Sequence, residues 1–111
     1  TAYSKNIAEE VDKYADITLV GDSLGSVLYN YPSTRNVTLT EMINHSKSVR
    51  LGVKKSLMVV DMPFKTYTTK NTALKNAKKI LKETKCDAVK LEGGKKLLSK
   101  LNFWLRIRFQ C

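Results

Sequence analysis

The stretch Ile17-Thr18-Leu19-Val20-Gly21-Asp22-Ser23-Leu24-Gly25 decides the fold, because a short apolar run ends there in an acid, a hydroxyl and two glycines. The pattern returns twice along the chain: residues 56–60 precede Asp61, and residues 88–91 precede Glu92-Gly93-Gly94. Apolar runs of this length that stop at glycine or proline are typical of buried β-strands. Their spacing suits units of one strand and one helix, which take about 30 residues or more.

Helical patterns lie between these runs. Residues 3–16 carry Ile7, Val11 and Tyr14 at helical spacing, which predicts a helix whose inward face bears these three side chains. Residues 21–32 contain glycines and end in proline, and they are predicted to form a long turn region.

A second helix is predicted by Thr38-Leu39-Thr40-Glu41, which matches a capping box. This helix is predicted to reach about Val49, with Gly52 placed to end it. A third helix is predicted over residues 71–84. The order α-β-α-β-α-β predicts an α/β protein with a parallel sheet, either an open doubly wound sheet or part of a barrel.

Composition limits the function classes. The chain has 111 residues, of which 42% are hydrophobic and 27% charged, as expected for one small globular domain or part of a larger one. No apolar run approaches the roughly 18–20 residues that a membrane span needs, so no membrane association is expected. The net charge of +10 comes from scattered lysines. We therefore interpret it as a solvated surface rather than a nucleic-acid site.

The two cysteines, Cys86 and Cys111, lack the spacing of metal ligands, and one histidine cannot complete a zinc site with them. We expect both to be reduced thiols of a cytoplasmic protein, because cytosolic proteins rarely keep disulfides.

Three carboxylates follow the three predicted strands: Asp22, Asp61 and Glu92. Both candidate architectures bind ligands at the carboxyl ends of parallel strands, so these acids are expected to converge. Converging carboxylates repel each other unless they share a proton or a cation, and oxygen ligands select Mg²⁺ or Ca²⁺. The alternative is that each acid merely caps a helix or a turn.

Lys90 lies within an apolar strand and points to the same side as Glu92. A lysine in such surroundings needs an anionic partner. Either Glu92 or the carboxylate of a substrate could provide it.

Gly21-Asp22-Ser23-Leu24-Gly25 also matches the nucleophile elbow G-x-S-x-G. An elbow needs a helix directly after the turn, and none is expected there. The sole histidine, His45, falls within a predicted helix and is interpreted as a surface or packing residue. We therefore expect Ser23 to donate a hydrogen bond to a bound anion rather than to act as a nucleophile.

Taken together, these motifs resemble the ketopantoate hydroxymethyltransferase family from Thr1 to about Lys96. The matching segments are Val20-Gly21-Asp22-Ser23-Leu24-Gly25, Tyr31-Pro32-Ser33-Thr34, Val37-Thr38-Leu39, Asp61-Met62-Pro63-Phe64 and Val89-Lys90-Leu91-Glu92-Gly93-Gly94. Thr1-Ala2-Tyr3 also looks like the end of that family's first strand.

The resemblance implies the N-terminal portion of a (β/α)₈ TIM barrel of the phosphoenolpyruvate mutase/isocitrate lyase type. It implies transfer of a hydroxymethyl group from 5,10-methylenetetrahydrofolate to 3-methyl-2-oxobutanoate, giving 2-dehydropantoate for pantothenate and coenzyme A synthesis. Mg²⁺ would chelate the 2-oxo acid and acidify the carbon beside the ketone.

Carried over residue by residue, the resemblance makes Asp22, Asp61 and Glu92 the metal ligands. It makes Asp22, Ser23, Asp61 and Lys90 the substrate-binding residues, with Lys90 on the anionic end. It also implies a homo-oligomer in the cytoplasm, with a 2-oxo acid and a folate as its small-molecule partners.

The chain departs from the family in two respects. A full barrel takes about 250 residues, so residues 1–96 would supply only about the first four βα units. The expected general base lies beyond residue 111, and residues 97–111 match nothing in the family and resemble a frameshifted end. The chain alone is therefore expected to be inactive.

Two other functions remain open. One is a different Mg²⁺-dependent enzyme of the same barrel superfamily that acts on another 2-oxo acid. The other is a non-enzymatic basic binding module, which would bind nucleic acid in a salt-sensitive way.

Overall fold

Residues 1–91, the part of the chain that the computed structural model describes, contain a parallel sheet. Its strands are β1 (Ile17–Val20), β2 (Leu57–Asp61) and β3 (Ala88–Lys90), in the spatial order β1-β2-β3. Ala2 donates its backbone N–H to the carbonyl of Leu19 at 3.0 Å, so the N-terminal residues contact β1 directly. The α/β class and the parallel sheet predicted from the sequence are confirmed.

The helices alternate with the strands, and the capping box opens the helix before β2. The helices are α1 (Lys5–Asp12), α2 (Leu24–Tyr29), a 3-10 helix (Thr34–Asn36), α3 (Leu39–Gly52) and α4 (Lys70–Thr84). Thr38 Oγ1 accepts from the Glu41 N–H, and a Glu41 carboxylate oxygen accepts from the Thr38 N–H, each at 3.1 Å. The predicted capping box is thus confirmed in both directions.

The two faces of the sheet have different surroundings. Val20, Met58 and Val60 are fully buried in one apolar core with residues of α3 and α4. On the opposite face, Ile17 and Leu57 are exposed. The helices therefore cover one face of the sheet, and the other face keeps apolar side chains in contact with solvent.

The predicted inward face of the first helix is wrong. Ile7 is exposed and Tyr14 is 87% exposed, whereas Ala8 and Asp12 are buried. The helix also ends at Asp12 rather than at residue 16. Small Ala8 allows α1 to lie close to α3, and Asp12 turns inward because it binds backbone groups elsewhere in the fold.

Gly52 is the last residue of α3, so the helix ends where the sequence predicted, although Gly52 does not have a positive φ. A Cβ placed on Gly52 would clash with the Lys5 carbonyl oxygen and would lie 2.9 Å from the Ala8 Cβ. Glycine is therefore needed for the close crossing of α1 and α3.

The turn region predicted over residues 21–32 instead contains the helix α2. The helix ends at Tyr29 and is followed by Asn30, whose left-handed φ of 54° is a conformation that commonly ends helices. A Cβ on Gly25 would lie 2.5 Å from Val37 Cγ2, so this helix also packs closely through a glycine. Six residues that include a glycine give too weak a helical pattern to recognise in the sequence.

A buried group of polar side chains, which we call the polar clamp, consists of Asp12, Ser56 and Thr18. The Asp12 carboxylate accepts backbone N–H groups of Lys54, Lys55 and Ser56 at 2.8–3.1 Å. The Ser56 hydroxyl donates to Asp12 at 2.8 Å and lies 2.6 Å from the Thr18 hydroxyl oxygen. The backbone hydrogen bonds from Ser56 and Lys54 hold the pKa of Asp12 well below its ordinary value.

Several predictions fall outside residues 1–91, namely the Glu92 site, the boundary at residue 96, the tail 97–111 and Cys111. Within the described part, Cys86 is a buried free thiol, and burial raises its pKa. No helix among residues 1–91 has the length and apolarity to cross a membrane.

Candidate active site

A cavity of about 300 Å³ opens at the carboxyl ends of the strands. Asp22, which follows β1, Asp61 at the end of β2 and Lys90 at the end of β3 all line it. The remaining walls come mainly from the loops after β1 and β2. The structure therefore brings together three of the residues that the sequence singled out.

Asp61 and Lys90 form the centre of this cavity. They are register partners on neighbouring parallel strands, so their side chains emerge side by side on the same face. Lys90 Nζ lies 3.0 Å from Asp61 Oδ1, and the Asp22 backbone N–H donates to Asp61 Oδ2 at 3.1 Å. The sequence suggested Glu92 or a substrate as the partner of Lys90, and Glu92 lies outside the described residues. Within those residues Asp61 is a partner of Lys90, because the β2–β3 register places the two residues opposite each other.

Ser23 directly follows Asp22 but is not among the residues that line the cavity. A Cβ on Gly21 would lie 3.3 Å from Ser23 Oγ and 3.4 Å from Asp61 Oδ2. Both oxygens therefore lie close to Gly21, on the side where a side chain would project. Ser23 Oγ also shares a 2.6 Å hydrogen bond with the Tyr3 hydroxyl.

Ser23 has no catalytic base among the described residues. Helix α2 does follow it directly, contrary to the sequence prediction, so the elbow-like strand–turn–helix geometry is present. His45, however, contacts the Tyr3 carbonyl oxygen through Nδ1 at 2.9 Å and the Tyr29 hydroxyl through Nε2 at 2.5 Å. A serine bonded to a tyrosine hydroxyl lacks the partner that nucleophilic catalysis requires.

The donor set suits a hard divalent cation. Asp22 and Asp61 bring carboxylate oxygens to one cavity, the ligand type that Mg²⁺ prefers. Among residues 1–91, each Asp61 oxygen has one hydrogen-bond partner and keeps further lone-pair capacity. Residues 1–91 contain no group of three His, Cys, Asp or Glu residues that could hold a metal, and the third predicted ligand, Glu92, lies outside them.

Loop residues that the sequence analysis missed form the outer wall of the cavity. Arg35, from the 3-10 helix, places its guanidinium carbon 4.7 Å from the centroid of the Phe64 ring. Thr34 and Tyr67 also line the cavity. Their position after β1 or β2 in the chain was the available signal, since loops that follow parallel strands gather at the same edge of a sheet.

Comparison with known proteins gives a consistent result. The family model described as ketopantoate hydroxymethyltransferase matches residues 1–108. Three similar proteins are each named 3-methyl-2-oxobutanoate hydroxymethyltransferase. The one from Pelagibacter ubique is 68% identical over 98 residues, which is 88% of this chain and 38% of that protein. The one from Rhizobium etli is 51% identical over 104 residues, covering 93% and 38% respectively. The one from Anaplasma marginale is 53% identical over 94 residues, covering 85% and 34%. The chain thus spans less than two fifths of the length of these relatives.

Proposed function

Because this chain belongs to the ketopantoate hydroxymethyltransferase family, we propose that it is the N-terminal part of an enzyme of that activity. The enzyme would transfer a hydroxymethyl group from 5,10-methylenetetrahydrofolate to 3-methyl-2-oxobutanoate, giving 2-dehydropantoate. The observation that carries the proposal is the cavity that Asp22, Asp61 and Lys90 share at the strand ends. Two carboxylates and an ammonium suit a chelated 2-oxo acid.

We propose that the sheet is a section of a (β/α)₈ barrel. Its three parallel strands lie side by side in chain order, as consecutive strands of such a barrel do. The exposed apolar face with Ile17 and Leu57 is the face that would turn inward in a barrel. The remaining strands would come from the part of the full-length enzyme that this chain does not cover.

Asp22 and Asp61, together with Glu92, would hold Mg²⁺. Bound there, the ion would polarise the 2-oxo group and make the neighbouring carbon more acidic. The hydrogen bond from the Asp22 N–H and the ion pair with Lys90 fix the orientation of Asp61. This orientation keeps a carboxylate directed into the cavity without any rearrangement.

Lys90 would bind the carboxylate of the oxo acid. Its ammonium lies 3.0 Å from Asp61 Oδ1, so an anion held beside Asp61 would lie within its reach. Charge-assisted hydrogen bonds of this kind are about twice as strong as neutral ones. Lys90 would therefore select substrates that carry a carboxylate next to the oxo group.

Ser23 would donate a hydrogen bond at the same place. Ser23 directly follows Asp22, which lines the cavity, so its hydroxyl would reach the substrate from the edge of the cavity. The Tyr3 hydroxyl holds Ser23 in position, and the contact between His45 and the Tyr3 carbonyl holds that part of the backbone.

The general base that removes the substrate proton would lie beyond residue 111, so the 111-residue chain is expected to bind ligands without turnover. The proposal also includes a homo-oligomeric assembly of the full-length enzyme in the cytoplasm.

The proposal is tested by completing the chain. Residues 1–96, which include Glu92, would be joined to the part of the Pelagibacter ubique relative that follows the residue matching Lys96, and 2-dehydropantoate formation would be measured. We expect turnover, and we expect Asp61→Asn to reduce it by about 100-fold or more, because a carboxylate ligand is lost. Glu10→Gln, which removes a surface charge paired with Lys13, is the matched control and should leave the rate unchanged.

Each alternative gives a distinct result. Preference for another 2-oxo acid in a calorimetric titration would indicate a different enzyme of the same superfamily. Salt-sensitive nucleic-acid binding that Asp22→Asn leaves unchanged would indicate a basic binding module. Turnover by the 111-residue chain alone would contradict the proposed inactivity of the fragment.

A further inference from the structure

The outer wall of the cavity contains the Phe64 ring and Arg35, and a second cation, Lys65, lies beside the ring without lining the cavity. The Arg35 guanidinium carbon lies 4.7 Å from the Phe64 ring centroid, and Lys65 Nζ lies 5.8 Å from it. Both distances are within the range of cation–π attraction. Arg35 and Phe64 both line the cavity, and both are exposed to solvent at its outer end.

The backbone at Lys65 is unusual. The Thr66 N–H donates to the Pro63 carbonyl at 3.1 Å, which closes a tight turn, and Lys65 has a φ of 70° within it. This left-handed conformation is the one that glycine adopts most easily at the third position of such a turn. The chain therefore keeps a lysine where glycine would be more relaxed.

These cations have no acidic partner among the described residues. The ion pairs within residues 1–91 involve other lysines and arginines. The acids of the cavity lie deeper, where Asp61 is buried and contacts Lys90. The outer wall is therefore suited to an anion that comes from outside the protein.

The ligand that fits must carry carboxylates and must extend from the carboxylate centre outwards. The 2-oxo acid has a single carboxylate, which the proposed function assigns to Lys90, so it leaves the cations of the outer wall without an anion. The folate co-substrate has the required form, because its reacting group is joined through an aminobenzoyl ring to a glutamate with two carboxylates.

We propose that Arg35, Phe64 and Lys65 bind the aminobenzoylglutamate end of the folate, with the Arg35 guanidinium on a glutamate carboxylate. Phe64 keeps the planar guanidinium in a fixed orientation, and Lys65 provides a second cation for the remaining carboxylate. This inference rests on the proposed function, since it assigns a subsite for the co-substrate of that reaction.

The test compares two ligands on the intact 111-residue chain. One is 5-formyltetrahydrofolate, and the other is its pteroate analogue, which lacks the glutamate. We expect the chain to bind the first more tightly. Arg35→Gln should weaken the binding of 5-formyltetrahydrofolate by about tenfold and leave the affinity for the pteroate analogue unchanged. Lys13→Gln, which removes an exposed charge on another surface, should change neither.

Two further variants separate binding from structure. Arg35→Lys keeps the charge without the planar fork and should lose only part of the affinity. Lys65→Gly should raise the temperature of unfolding, because glycine adopts the left-handed φ freely. The same substitution should weaken the binding of 5-formyltetrahydrofolate severalfold, because a cation is lost. Opposite changes in stability and affinity cannot arise from damage to the fold.

The outcomes distinguish this inference from the proposed function. The proposed subsite would be overturned if Arg35→Gln lost the same affinity for both ligands, or if the unaltered chain bound neither ligand. Binding of 3-methyl-2-oxobutanoate with Mg²⁺, measured on the same samples, reports on the proposed function independently. Arg35-dependent folate binding without oxo-acid binding would keep the subsite and overturn the proposed substrate.

Discussion

The ion pair between Asp61 and Lys90 should stabilise the chain much more than a surface pair of the same length. Its N–O distance is 3.0 Å, with side-chain exposures of 8% for Asp61 and 42% for Lys90. Glu10 and Lys13 form a pair at 2.9 Å with exposures of 68% and 58%. The two pairs differ mainly in burial, so the second is a matched control for the first.

The expected magnitudes follow from the dielectric surroundings. Opposite charges about 4 Å apart attract by about 4 kcal/mol at an effective dielectric constant near 20, before desolvation is subtracted. The exposed half of Lys90 weakens this attraction, and burial of Asp61 carries a cost of its own. We therefore expect a net coupling of about 1–2 kcal/mol for Asp61 and Lys90, against about 0.2–0.5 kcal/mol for the helical surface pair.

Double-mutant cycles measure both couplings. Asp61→Asn, Lys90→Gln and the double variant would be compared with the unaltered chain by urea unfolding, and the same set would be made with Glu10→Gln and Lys13→Gln. The measurements would be repeated at about 0.1 M and 1 M salt, because screening acts most strongly on exposed charges. In Asp61→Asn the amide oxygen can still accept the Asp22 N–H, so the cycle isolates the ion pair.

Equal couplings in the two cycles would refute the reasoning. The same holds for an Asp61–Lys90 coupling that disappears at high salt as completely as that of the surface pair. Either result would mean that the cavity exposes Asp61 to water far more than the structure indicates.

Three other predictions concern stability and reactivity. Because the folded-state pKa of Asp12 lies below its unfolded value, its stabilising effect is present above about pH 4 and is lost as the pH falls further, so Asp12→Asn should flatten the acid limb of stability measured by urea unfolding between pH 2 and 7; an unchanged acid limb would contradict this. Gly52→Val should lower the free energy of unfolding by about 1–3 kcal/mol, because its side chain would press on the backbone of α1, whereas Asn44→Ala on the exposed side of the same helix should have a small effect; similar losses in both would show that α1 moves away without cost. In a Cys111→Ser background, Cys86 should react with Ellman's reagent at neutral pH only as fast as the chain unfolds, because its thiol is buried and has a raised pKa; rapid reaction in the absence of urea would exclude this burial.

The sequence predicted features that depend on local patterns. The strands follow from short apolar runs, and the start of α3 follows from Thr38 and Glu41, which lie three residues apart. The convergence of Asp22 and Asp61 followed from a general property of parallel sheets, without knowledge of any contact. All of these signals lie within one element or within one strand and the turn after it.

Features that depend on long-range packing were missed. The inward turn of Asp12 depends on backbone groups more than 40 residues away, which no helical periodicity encodes. The pairing of Lys90 with Asp61 depends on the register of β2 and β3, which two short apolar runs do not specify. The contact between Arg35 and Phe64 joins two loops, where residue spacing carries little information about direction.

The polar clamp has a consequence for how the chemistry of this fold can change. Asp12 and Ser56 fix the start of β2, at the opposite end of the strand from Asp61. A slip of one residue would turn Asp61 to the helix-covered face, so the clamp protects the cavity from a distance. Loops grafted at residues 31–36 and 62–68 should therefore alter ligand choice while the strand alignment stays the same. The loops that can vary and the clamp that fixes the strand alignment lie at opposite ends of the same strands. The carboxyl ends of the strands are therefore a suitable place for loop exchange.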